Sequence, residues 1–174
     1  MLRAAALAAL TLAACRISLE SDDVAPTGDA AEALMCKDNT TATSCVNSAT
    51  HSDLTFIETN IFANNCVFSG CHNGENTPQG AVDLRAGMSH ASLVGVTSQI
   101  DPTRMLVVPS DLHSSYMMLM LADFPASDAT PPGTAPPDDI GFMPQGGDLS
   151  RPSILCCQKL GALERWVTAG AMND

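Results

Sequence analysis

The residues of this chain best placed to do chemistry stand together in Asn65-Cys66-Val67-Phe68-Ser69-Gly70-Cys71-His72. Two thiols are separated by four residues, and an imidazole follows the second at once. Three chemistries use such a set. Two nearby thiols can add across the two vinyl groups of a haem as thioethers, with the next histidine seated under the iron; C-x-x-C-H is the usual form of that signature. A tetrahedral zinc site would need a fourth ligand, and Cys156 or Cys157 is nearest in kind. In the third, Cys66 and Cys71 bond each other in a small disulfide loop and the histidine is a bystander. The spacer here is four residues, not two, so attachment to a ring requires it to bulge outward, which Ser69-Gly70 permits.

A second candidate lies far along the chain. Phe142-Met143-Pro144 follows His72 by some 70 residues, in a loop ahead of the last helical pattern. A methionine thioether opposite a histidine is a common axial pair for haem iron and raises its reduction potential. The chain has nine methionines, so Met117, Met118 and Met120 read as helix packing. His90 and His113 are competing candidates for the sixth position, and His51 reads as a surface residue.

The compartment follows from the N-terminus. MLRAAALAALTLAAC has one positive charge, an Ala/Leu run too short to span a bilayer and a small-residue end, the pattern of a signal peptide over 1–14. Leu12-Ala13-Ala14-Cys15 has the form of a lipobox, which makes Cys15 the lipidated residue and the mature chain a domain tethered to a membrane. Arg16, where an aspartate would retain the protein at the inner membrane, points to the outer membrane of the cell envelope, facing the periplasm or the cell surface. Such a space is oxidising, and disulfides persist there.

Composition narrows the partners. The formal net charge is −11, which argues against nucleic acid, whose binding needs lysine and arginine on phosphates. It suits steering toward a protein partner with a basic docking face. Aromatic residues are scarce, with five Phe, one Tyr and one Trp. The core must therefore come from aliphatics and methionines, or from an apolar group that the sequence does not encode.

Residues 15–50 read as an acidic flexible tether that carries Cys36 and Cys45. The simplest pairing joins those two, with others open. Adjacent Cys156 and Cys157 bond each other only with strain, which leaves one of them available to Cys36 or Cys45. The packed domain is expected over 51–174. Leu54, Ile57, Ile61 and Phe62 predict a helix over about 53–64, with Ser52 or a Thr55/Glu58 capping box at its start. Ser114-Ser115 cap a short helix over about 115–122. Residues 123–141 read as an exposed Pro/Asp-rich loop. The last helix starts near Ser150 and Pro152, buries Cys156, Leu160, Leu163 and Val167 beside Trp166, and ends at Gly170. No strand and no repeat is expected, and no arrangement that would support an enzyme is evident.

Taken together, IFANNC, CVFSGCH, GAVDLRAG, VVPSDLHSSYMMLML, MPQGG followed by LS, and ERWVTAGA resemble a single-haem c-type cytochrome domain of the divergent C-x4-C-H sort found in bacterial exported lipoproteins. The resemblance covers residues 54–172. It implies a small all-α fold with long loops, in which the first and last helices pack together beside the haem. It implies one covalent haem c held by Cys66 and Cys71, with His72 as proximal and Met143 as distal iron ligand, and electron transfer as the task. Two rivals stand beside it. One is a haem-free lipoprotein stapled by three disulfides, with Cys66 bonded to Cys71, in a structural or binding role. The other is a haem sensor or peroxidase-like module with an open iron.

Overall fold

The computed structural model describes residues 36–68, 71–75, 81–133, 136–137, 140–144 and 155–174. The leader, Cys15, Ser69-Gly70, Gln145-Gly146-Gly147, Ser150 and Pro152 lie outside the described residues. Among those described, helices are the only sustained regular elements, and extended pairing is confined to isolated bridges. None of these helices is long and apolar enough to cross a membrane.

The first main helix forms where the apolar spacing predicts it. It starts with an α-turn at Leu54–Ile57, widens to a π-turn at Glu58–Phe62 and closes at Ala63–Asn65; residues 54–65 are called α2 below. Asp53 is its N-cap and accepts a hydrogen bond from the Phe56 N–H at 2.8 Å, so neither Ser52 nor the expected capping box starts the helix. The reason is the register. Glu58 falls on the same stripe as Leu54, Ile57, Ile61 and Phe62, so it turns into the fold and is buried with them. There its carboxylate accepts hydrogen bonds from the Gly87 N–H and the Ser89 hydroxyl. That satisfies a charge which would otherwise be costly to bury. It also fixes the next short helix, α3 (Ser89–Leu93), against α2.

The last helix, α5, spans Cys157–Thr168. Cys156 is extended (φ −72°, ψ 156°) and stands just outside it as N-cap. Leu160, Leu163, Trp166 and Val167 are buried on one face, as their spacing predicts. Gly170, at φ +106°, ends the helix in a conformation that side chains rarely adopt. The chain then folds back. The Trp166 indole N–H donates to the Met172 carbonyl, and Asp174 accepts from the Leu54 and Thr55 N–H groups at the start of α2. The first and last main helices thus contact each other, with Ile57, Ile61, Leu163 and Trp166 in one shared core.

Part of the stretch read as a tether is built into the fold. Helix α1, Thr43–Ser48, packs along α5, and the Arg165 guanidinium donates to the carbonyls of Ser48 and His51. The simple Cys36–Cys45 pairing is not the one present. Cys36 bonds Cys157, and Cys45 bonds Cys156. The physical reason is local. Lys37 pairs with Cys156 in a parallel bridge, so the N-terminal segment runs across the start of α5. One of the two adjacent cysteines is extended and the other helical, so their side chains leave the backbone in different directions and each meets its own partner.

Between α3 and the short helix α4 (Tyr116–Met120), residues 105–107 lie extended between two neighbours. Leu106 donates its N–H to the Val96 carbonyl and accepts from the Met117 N–H. Ser115 precedes α4, as expected, but its hydroxyl donates to the Asp111 carbonyl and accepts from the Val108 N–H rather than capping α4. The Pro/Asp-rich loop after it is less open than its composition predicts. It contains a 3-10 turn at Ala126–Asp128 and a buried Ala129, and the buried Arg104 side chain donates to the Pro131 carbonyl.

Where α4 exits toward α5, Asp123 meets Glu164. Burial first, then the hydrogen bond and the like charge of Glu164, push the Asp123 carboxyl up to about 8. Its proton is held more tightly in the folded chain than in the unfolded one. The stability this adds is full below about pH 4 and is lost as the pH rises through about 8. Asp123→Asn keeps the shape and a hydrogen-bond donor but removes the ionisation. We expect thermal unfolding of Asp123→Asn to match the native chain near pH 4, to be the more stable of the two at pH 8, and to lose most of the slope of stability against pH between them. An unchanged slope of stability against pH would refute this account of the pair.

Candidate functional site

α2 runs out at Asn65, and the chain turns at Cys66, whose N–H still donates to the Phe62 carbonyl at 2.8 Å. The loop then closes on itself. Cys71 donates its N–H to the Phe68 carbonyl, and His72 donates to the Cys66 carbonyl. These bonds bring both thiols and the imidazole to one place despite the four-residue spacer. Cys66 and Cys71 are the two unbonded cysteines among the described residues. They are not bonded to each other here, while the two other disulfides of a stapled chain are present. The zinc option loses its fourth ligand, because Cys156 and Cys157 are already in disulfides. Burial pushes the Cys66 thiol up to about 12.

A second segment orients the imidazole. Leu84 donates its N–H to the His72 carbonyl, and His72 Nδ1 lies 3.2 Å from the Val82 carbonyl. A carbonyl can only accept, so Nδ1 is the donor, which in the neutral ring puts the lone pair on Nε2. This is the arrangement that prepares a histidine to ligate a metal through Nε2. The 82–84 segment is itself held by Arg85, whose Nε and Nη2 grip the Asp83 carboxylate at 2.9 and 2.6 Å. That hydrogen bonding keeps Asp83 below the ordinary carboxylate range.

Cys66, Cys71 and His72 line one side of a cavity of about 240 Å³ that opens to the surface. Its walls are almost wholly apolar. α2 contributes Ile61 and Phe62; the extended segment and α4 contribute Leu106, Tyr116, Met117 and Met120; α5 contributes Leu163. Met143 and Pro144 line the same cavity. Met143 is tied in place by its N–H, which donates to the Met120 carbonyl at 2.7 Å. All four residues singled out in the sequence for cofactor binding therefore face a single space. The other candidate ligands lie elsewhere. His90 Nε2 is 3.0 Å from the Ala171 carbonyl, and the His113 ring packs on Phe124 at 4.8 Å.

The sequence reading missed three wall residues. By sequence Met117 and Met120 read as helix packing, yet with Tyr116 they face the cavity. Their spacing on α4 carries no sign of what the buried face meets. No group of three or more His, Cys, Asp or Glu among the described residues is arranged to hold a metal ion. A single histidine with a methionine is a different donor set. The groups that could hold a cofactor are two unbonded thiols, an imidazole and a thioether, all lining one apolar slot, and these are donor types that a haem uses. Compared with known families, curated proteins and solved structures, the chain matches no family model, no curated protein and no solved structure.

Proposed function

We propose that this chain is a haem c-binding electron carrier, anchored to the cell envelope through a lipid on Cys15. The observation that carries the proposal is the convergence of Cys66, Cys71, His72 and Met143 on one apolar cavity, in a chain whose other described cysteines are all consumed in disulfides. Bound there, a haem supplies a one-electron iron couple. The chain's own groups do the rest. Cys66 and Cys71 would hold the haem through thioethers to its vinyl groups, a thiol addition that needs no oxidant. The Val82 carbonyl orients the His72 ring, and His72 and Met143 would supply an imidazole and a thioether to the iron. The aliphatic walls exclude water, which favours the less charged reduced state. The acidic surface guides docking on a basic face of a redox partner, and the tether confines that search to the membrane surface.

A histidine–methionine pair leaves no open position, so the native reduced protein should not bind carbon monoxide. In Met143→Ala that position opens, and carbon monoxide should bind at once with a shift of the reduced absorption bands. Prompt binding by the native protein would instead favour the open-iron reading.

A second reading is a haem-free, disulfide-stapled lipoprotein with a structural or binding role. The Cys36–Cys157 and Cys45–Cys156 bonds and the lack of a His/Cys/Asp/Glu metal group favour it. In its favoured form the two thiols at the cavity would be without a task.

A further inference from the structure

Among the described residues, one buried cation near the cavity wall has no part in the electron-carrier reading so far. Lys159 lies on α5, four residues before the wall residue Leu163, and is only 6 % exposed. Among the described residues its ammonium has a single hydrogen-bond partner, Asn65 Oδ1 at 2.8 Å, and no carboxylate within ion-pair distance. Asn65 itself lines the cavity and directly precedes Cys66. A buried ammonium without a counter-ion is costly. The desolvation shows in Lys159 itself, whose pKa burial lowers, and in its electrostatic coupling to Cys66. A neutral methionine at this position would fill the same space without that cost.

We propose that Lys159 sets the reduction potential of the site, its buried positive charge at the thiol wall favouring the electron-loaded form. The inference rests on the electron-carrier reading. One electron enters from a protein donor and leaves to a protein acceptor, and no proton or covalent bond is exchanged. Reduction lowers the charge of the site by one. A fixed positive charge nearby stabilises the reduced state, and burial leaves that interaction weakly screened. Asn65 positions the ammonium by accepting from it, while the apolar wall keeps water from solvating it.

The test is an equilibrium redox titration, followed by absorbance, of the haem-loaded full chain as native, Lys159→Met and Lys159→Arg. The midpoint potential should fall in Lys159→Met and stay near native in Lys159→Arg, which keeps the charge. If Lys159→Met does not accumulate, Asn65→Asp carries the test, because a carboxylate beside the ammonium cancels its charge and should also lower the potential. A potential that is unmoved or raised in Lys159→Met would overturn the proposal while leaving the electron-carrier reading intact. A native protein without haem would overturn both. A readout without haem stands beside these. Thermal unfolding of the haem-free chain should move to higher temperature in Lys159→Met, since a desolvated charge is removed. A lower unfolding temperature would mark the ammonium as a well-compensated structural group and would count against the proposal.

Discussion

With Cys66 and Cys71 both replaced by alanine, the chain made in an exporting host with haem-attachment machinery is expected to fold but to yield no haem that survives acid–acetone extraction. The effect is all or none for the covalent link, because no other unbonded cysteine exists among the described residues. The chain should still fold because its staples lie elsewhere, across α1 and the start of α5. Each single substitution should keep the haem attached through the remaining sulfur. Double-variant protein that retains extraction-resistant haem would mean that attachment runs through other residues, and the assignment of both thiols would be lost.

The second large effect concerns the staples. Cys36–Cys157 and Cys45–Cys156 close sequence separations of 121 and 111 residues, but they join the same two segments. Once one is made, the other closes a loop only about as long as the stretch from Cys36 to Cys45. In the chain-entropy account, a loop near 10 residues is worth about 2–3 kcal/mol and one above 100 residues about 4–5 kcal/mol. Removing either bond alone should therefore cost about 2 kcal/mol, and removing both about 5 kcal/mol or more, on the scale of a whole domain's stability. Chemical unfolding of Cys36→Ala/Cys157→Ala, Cys45→Ala/Cys156→Ala and the fourfold variant checks this. Two equal, additive losses would show that the bonds constrain separate parts of the chain. Loss of both should also loosen the cavity, because α5 carries Leu163 and Lys159 and packs against α1.

How much of this could be read from the residues depends on the range of the interaction involved. The α2 stripe and the Gly170 stop are local patterns, and both stand where the sequence puts them. The π-turn at Glu58–Phe62 and the inward Glu58 were not legible, because they depend on Gly87 and Ser89, some 30 residues away. The disulfide partners are separated by more than 100 residues, and nothing near Cys36 or Cys45 encodes which of Cys156 and Cys157 each will meet. The sequence singles out Cys66, Cys71, His72 and Met143 by residue type and order, and the structure adds that all four line one cavity. Lys159 was not read, since a lysine in a helix is usually solvated. Yet its position already gave a signal, three residues after Cys156 and four before Leu163, on the stripe that is buried.

The most direct test of the central claim is an absorption spectrum of the purified full chain, produced in an exporting host with haem-attachment machinery and taken before and after acid–acetone extraction. The account predicts sharp bands in the reduced protein that stay with the polypeptide through extraction, and a mass increase of one haem per chain. A colourless protein in which Cys66 and Cys71 both react as thiols, or are bonded to each other, would contradict it and leave the disulfide-stapled reading in its place.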